Sequence, residues 1–164
     1  MTRSRQILIF GGLILAALGM FYGLYYAVFV EHQTLDHMGG SLARSFAGAA
    51  QRNSADSASA LQAYGATKYD YVRQVDIHSH WIGLAMIMLV LGAAFDRVNF
   101  SEALRQLIAL VLLSGSVLFP LAVFLQTYDH GAAIFKALAI LGPGLVIAAL
   151  SATVVGFWRR GSSA

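Results

Sequence analysis

An all-α integral membrane bundle of four helices is the fold this sequence predicts, and three observations predict it. Apolar runs at residues 7–30, 77–95, 106–126 and 132–158 each approach or exceed the roughly 20 residues that a bilayer crossing takes. Only 12% of the chain is charged, 58% is hydrophobic and mean hydropathy is +0.66, whereas a soluble domain carries about a quarter charged residues. Lys and Arg flank the runs instead of forming a patch, so the net charge of +3 reflects membrane topology and not a nucleic-acid partner. On this reading residues 1–164 form one membrane domain, with residues 31–76 as a long outer loop between the first two helices.

The first run follows a short basic segment with Arg3 and Arg5. A secretory leader opens in the same way, but its apolar core is only about 7–15 residues and ends in small side chains. This run ends in Tyr25, Tyr26, Val28, Phe29 and Val30 and reads as a retained span. Gly12, Ala16, Gly19 and Gly23 recur every three or four residues, a face suited to close helix packing. Beyond it, residues 31–38 extend the helix by about two turns until Gly39-Gly40 stops it. Leu42, Phe46, Ala49 and Ala50 mark one short amphipathic helix and residues 58–64 another. Tyr64, Tyr69 and Tyr71 suit the membrane interface. A connection of this length commonly carries function, here as a lid.

The second span opens at Asp76-Ile77-His78-Ser79-His80-Trp81 and closes at Asp96-Arg97. In the third, Ser114, Gly115, Ser116 and Pro120 interrupt the apolar run, which predicts a kink and a polar notch facing other helices. A tight turn at residues 127–131 leads to the fourth span, which holds Gly142-Pro143-Gly144 and ends at Arg159-Arg160. The short segments with Arg3, Arg5, Arg97, Arg105, Arg159 and Arg160 fall on one side, so both termini are expected in the cytoplasm, across a bacterial inner membrane.

Under this topology all five histidines gather at the outer rim with Glu31, Asp36, Asp70, Asp76 and Asp129, leaving only Asp96 and Glu102 among acids inside. Ionisable groups near membrane depth usually have a partner or a role. The chain has no cysteine, which removes disulfides, thiolate metal sites, iron–sulfur clusters and covalently attached haem. A metal would rest on His and carboxylate ligands, which suit Cu, Fe or Zn. His32 and Asp36 stand one helical turn apart and can face one ion, with Glu31 adjacent; His37 lies off that face if the helix continues. His78 and His80 are about 200° apart around a helix, so they serve opposite sides.

The stretch His78-Ser79-His80-Trp81-Ile82-Gly83-Leu84-Ala85-Met86 resembles the His-x-His helix of the haem-copper oxidase and nitric oxide reductase catalytic subunits. It is also similar, more loosely, to small four-span membrane proteins of unknown function with a His-x-His second helix. The first resemblance implies that His78 and His80 are axial ligands of b-type haem on opposite faces of one helix. It further implies second ligands from another element, for which His130, His37 and His32 are the candidates. The chain has no adjacent His-His pair and no His-x-x-x-Tyr element, so the oxidases' copper centre has no counterpart. Lys136 is placed to meet a haem propionate or Glu31, or to snorkel to the interface; Trp81 is placed to stack on a macrocycle or to anchor at the interface.

Three functions fit these residues. The first is a haem b protein moving electrons, as a subunit of a respiratory assembly. The second is a non-haem Cu, Fe or Zn site of His32, Asp36, His37, His78, His80, His130 and Glu31, catalytic or metal-handling. The third is a structural accessory subunit whose rim histidines pair with carboxylates. Each agrees with a chain that lives in the lipid bilayer as a homo-oligomer or as part of a larger membrane complex.

Overall fold

The computed structural model describes residues 1–129 and 131–161. Five α-helices follow one another: α1 (Arg3–Phe29), α2 (Glu31–Ala50), α3 (Ser54–Ala94), α4 (Glu102–Gln126) and α5 (Ala133–Gly161), with a 3-10 turn at Phe95–Arg97. Four stretches are long and apolar enough to cross a membrane, Arg3–Phe29, Ser54–Arg97, Glu102–Gln126 and Ala133–Arg159. The expected spans lie within these helices apart from a residue or two at their ends, and the chain is all-helical with four helices able to cross a membrane.

The segment between the first two spans differs from expectation. Residues 31–76 are not a loop: α2 runs straight through Gly39-Gly40, and α3 begins at Ser54 and has 41 residues. At 1.5 Å per residue α3 is about 60 Å long, about twice the hydrocarbon thickness. Two interior glycines cost a helix about 1 kcal/mol each. One side of α2, with Ser41, Ser45 and Gly48, seats on α3, and tertiary packing decides most helices of this length.

Contacts divide the chain into two compact units. One is Phe21–Val75; the other joins Met1–Met20 to the chain from Asp76 onward. In the Phe21–Val75 unit, the end of α1 and all of α2 run antiparallel to the first half of α3. Tyr22 donates to Gln74, Tyr71 donates to Glu31 Oε1 at 3.3 Å, and Ser45 and Ser57 share a 3.2 Å hydroxyl bond. Gly48 sits so close to Ser57 that a β-carbon there would be 2.8 Å from the Ser57 nitrogen. The reversal between the helices is tight. Asn53 N–H donates to the Gly48 carbonyl and Arg52 N–H to the Ala49 carbonyl, at 2.8 and 3.0 Å, the paired bonds of a Schellman stop. Arg52 takes the left-handed position, φ 57°, that glycine usually fills.

In the other unit the helix backbones approach closely. A β-carbon at Gly12 would lie 3.0 Å from the Ala85 carbonyl, and one at Gly115 would lie 2.7 Å from the Gly142 carbonyl. Leu8, Leu15, Ala85, Met88, Phe95 and Leu112 are buried around these contacts. Pro120 and Pro143 lie inside continuous helices. Of the expected notch, Gly115, Ser116 and Pro120 do face the interior, while Ser114 is exposed. Gln126 closes the far end of α4 by donating to the Phe135 carbonyl at 3.2 Å.

The amino-terminal turn is pinned to α4. Glu102 accepts from the Ser4 backbone amide at 2.9 Å and from the Ser4 hydroxyl at 3.2 Å, and receives Arg105 at 2.9 Å. Alongside, Thr2 donates to Asp96 at 2.7 Å and Arg5 pairs with the same carboxylate at 3.3 Å. Amides in the first turn of a helix have no partner within it, and Ser4 is wholly buried, so Glu102 supplies what solvent cannot.

Two measurements check this description. Replacing Glu102 with Ala should destabilise the detergent-solubilised protein by roughly 1–2 kcal/mol, seen as a lower melting temperature, with Glu102→Gln milder. Arg52→Gly should act oppositely, raising stability by up to about 1 kcal/mol by relieving the left-handed backbone.

Candidate functional site

His78 and His80 stand on α3 just inside the unit that begins at Asp76. Two residues of helical rotation turn their rings apart, and their partners bear this out. His78 Nδ1 lies 2.9 Å from the Gly19 carbonyl of α1. His80 Nδ1 lies 2.7 Å from the carbonyl of Asp76, one turn earlier on its own helix. The His80 ring meets Phe119 of α4 edge-on, with 4.5 Å between centroids and 74° between planes. Both histidines are half-buried.

A carbonyl oxygen can only accept, so each Nδ1 carries a proton, and in the neutral ring the lone pair is then on Nε2. That tautomer is the one that metal-ligating histidines adopt, with the ring aimed by a backbone carbonyl behind it. The two rings are held differently. The Asp76–His80 bond belongs to one helix and survives any shift of its neighbours, whereas the Gly19–His78 bond ties α1 to α3. Glycine at 19 permits that tie, since a β-carbon there would sit 3.0 Å from both Trp81 Cβ and Ile82 Cγ1. Trp81 accordingly packs half-buried on the apolar core at the α1–α3 contact.

The remaining candidates are distributed. His32 Nε2 pairs with Asp36 Oδ2 at 3.3 Å, as their one-turn spacing predicts, but the two side chains are 87% and 71% exposed. His37 turns away from that pair and bonds Thr67 Oγ1 at 3.1 Å through Nδ1; α2 remains helical there, which carries it off their face. Glu31 is taken by Tyr71. These four belong to the Phe21–Val75 unit. Lys136 is exposed near the start of α5. His130 lies outside the described residues. Among the described residues no three His, Asp or Glu side chains come together to hold a metal ion, so the expected cluster resolves into separate pairs. The physical reason is the continuous helix: residues 31–38 would have to leave it to converge.

Three elements of the site escaped sequence reasoning. Asp76 as the carbonyl behind His80 was readable from the four-residue spacing. Gly19 belonged to a recognised small-residue face, but nothing in it named His78. Phe119 had no signal at all, because it reaches His80 only through tertiary packing. Comparison with protein-family models, with curated proteins and with solved structures finds no match to this chain.

The interhelical bond predicts an ordering of histidine variants. His78→Ala should lower stability by about 1 kcal/mol, since it removes a bond between α1 and α3 while the Gly19 carbonyl keeps the amide of its own helix. His32→Ala should leave the melting temperature unchanged within error, because an exposed ion pair contributes little.

Proposed function

We propose that this chain is a haem b protein of the bacterial inner membrane that passes electrons, with both termini in the cytoplasm and His80 as the residue that would hold the iron. One observation carries the reading: the imidazole of His80 is fixed by the Asp76 carbonyl in the tautomer that leaves Nε2 as a ligand. The donor chemistry fits haem iron, for which histidine is the common protein ligand. The aromatic edge of Phe119 beside the ring supplies the apolar surroundings that a macrocycle requires. When bound, haem supplies a one-electron couple. What the protein's own residues contribute is a rigid ligand, oriented by a bond internal to α3. The basic residues of the short segments support the orientation, since they favour the cytoplasmic side and leave the His80 turn on the outer side.

A second reading is favoured by His78. Its bond to Gly19 is structural work, and the one-to-one pairing of His32 with Asp36 and of His37 with Thr67 fits an accessory subunit equally. The His32–Asp36 pair also keeps a non-haem Cu, Fe or Zn site in play.

A single preparation separates these. The full chain, purified in mild detergent from cells grown with iron, should show a Soret maximum and a reduced-minus-oxidised α band. His80→Ala should abolish both, while His78→Ala keeps the pigment and melts earlier. Colourless protein would sink the haem reading. Stoichiometric copper, zinc or iron without porphyrin, lost in His32→Ala, would move the function to the non-haem site. Protein with neither pigment nor metal would leave the accessory role.

A further inference from the structure

Phe119, whose ring lies 4.5 Å from that of His80 between centroids, is followed by Pro120, and Gly142 on α5 is followed by Pro143. All these residues belong to the unit that continues from Asp76. The two residues that precede proline meet. A β-carbon at Gly142 would lie 2.7 Å from the Phe119 nitrogen and 2.8 Å from both its Cα and its Cβ. Two of those three atoms are main chain, which cannot step aside as the tip of a long side chain can, so only glycine permits the approach.

At this point α4 holds itself weakly. Pro120 offers no amide to the Ser116 carbonyl, and its ring crowds that same oxygen. The Ser116 hydroxyl does not compensate: it is wholly buried and has no hydrogen-bond partner among the described residues. The residue before a proline is also steered away from helical backbone, and here that residue is Phe119. Bonds within α4 therefore fix Phe119 poorly, and the α5 backbone pressed on it supplies what they lack.

His80 depends on Phe119 in turn. Its Nδ1 reaches the Asp76 carbonyl at 2.7 Å, but that carbonyl lies inside the continuous α3 and also serves the amide four residues on. A ring held by one shared bond can rotate and exchange its tautomer. The Phe119 ring stands against the imidazole and blocks that rotation.

We infer that Gly142 is a positioning residue for His80, acting through Phe119. Its missing side chain seats α5 on the Phe119 backbone, the Phe119 ring braces the imidazole, and the imidazole keeps its proton on Nδ1. The bearing on iron rests on the haem reading, since Nε2 is the nitrogen that would hold it; the effect on the ring is a property of the chain itself. His78 is a built-in control. It stands two residues away on the same helix and is braced by Gly19 of α1 instead.

The test reads the ring nitrogens of both histidines by nitrogen-15 NMR. Full-length protein labelled at histidine is taken from cells that make no haem, placed in lipid nanodiscs, and held at a pH where imidazole is neutral. In the unmodified protein the two His80 nitrogens should stand far apart in shift, as in one fixed tautomer. Gly142→Ala should draw them toward a common value while the His78 pair stays in place. Phe119→Leu, which keeps an apolar side chain and removes the ring, should do the same, and Gly142→Ala added to it should change His80 no further. Gly156→Ala crowds Val98 and Phe100 elsewhere along α5; it should lower the melting temperature and move neither pair.

If Gly142→Ala moves both histidines or neither, its role is merely one of packing and the inference is overturned. Should that variant fail to fold, Phe119→Leu decides: unchanged His80 signals overturn the inference, and converging ones with His78 fixed support it. Colourless protein from cells that do make haem would remove the haem reading and leave the nitrogen shifts to decide this one alone. In pigmented protein Gly142→Ala should also shift the reduced-minus-oxidised α band, and Gly156→Ala should not.

Discussion

Lipid offers a peptide group no hydrogen-bond partner, and an apolar side chain gains nothing by leaving one hydrocarbon for another. The first condition makes the spanning segments helical. The second means that hydrophobicity, which puts them in the membrane, does not hold them to each other. What does is backbone proximity at glycine: Gly12 against Ala85, Gly19 against Trp81 and Ile82, Gly115 against Gly142. There dispersion forces act at short range over many atoms. The same proximity lets a main-chain carbonyl of α1 reach an imidazole of α3. Packing and the histidine site are therefore one arrangement, and side-chain bulk at Gly19 would disturb both.

Two histidines separated by a single residue have acquired different bonds for a geometric reason. The helix turns their rings to different neighbours, α1 for His78 and α4 for His80. One imidazole spans helices and belongs to the architecture. The other is braced from within its own helix and leaves its second nitrogen free of that duty. A His-x-His pattern on a helix thus need not be a pair of equivalent side chains; its members differ according to what each side of the helix faces.

The spans were legible in the sequence because hydropathy is a one-dimensional property. Boundaries shifted only where polar helix extends past lipid, as at Ser54, far ahead of Ile77. The hairpin was misread because Gly39-Gly40 and the Ser- and Ala-rich stretch carry the marks of a loop. Their helical state depends on Ser45 and Gly48 meeting Ser57, a contact between two segments that sequence inspection treats separately. Within the site, the His32–Asp36 pair was foreseen from its one-turn spacing, and the same spacing permits the Asp76–His80 bond, which was not foreseen. The Gly19–His78 bond and the Phe119 edge arise from chain crossings that no local rule encodes. His37 lies off the His32–Asp36 face, as expected for a helix that continues.

The Ser4–Glu102 contact joins residues that are 98 apart, and chains are made from the amino end. When the ribosome has delivered α1 to the membrane, the carboxylate that will accept its first-turn amide has not yet been synthesised. Until then α1 can pack on α3 through Gly12 and Gly19, but its leading turn lacks the partners that pin it. Synthesis of residues 96 to 105 supplies them, because Asp96, Glu102 and Arg105 then arrive together as a clasp for Thr2, Ser4 and Arg5. The register of the first helix is in this sense decided late, by the segment between the second and third spans, and a change in that segment would be felt first at the opposite end of the chain.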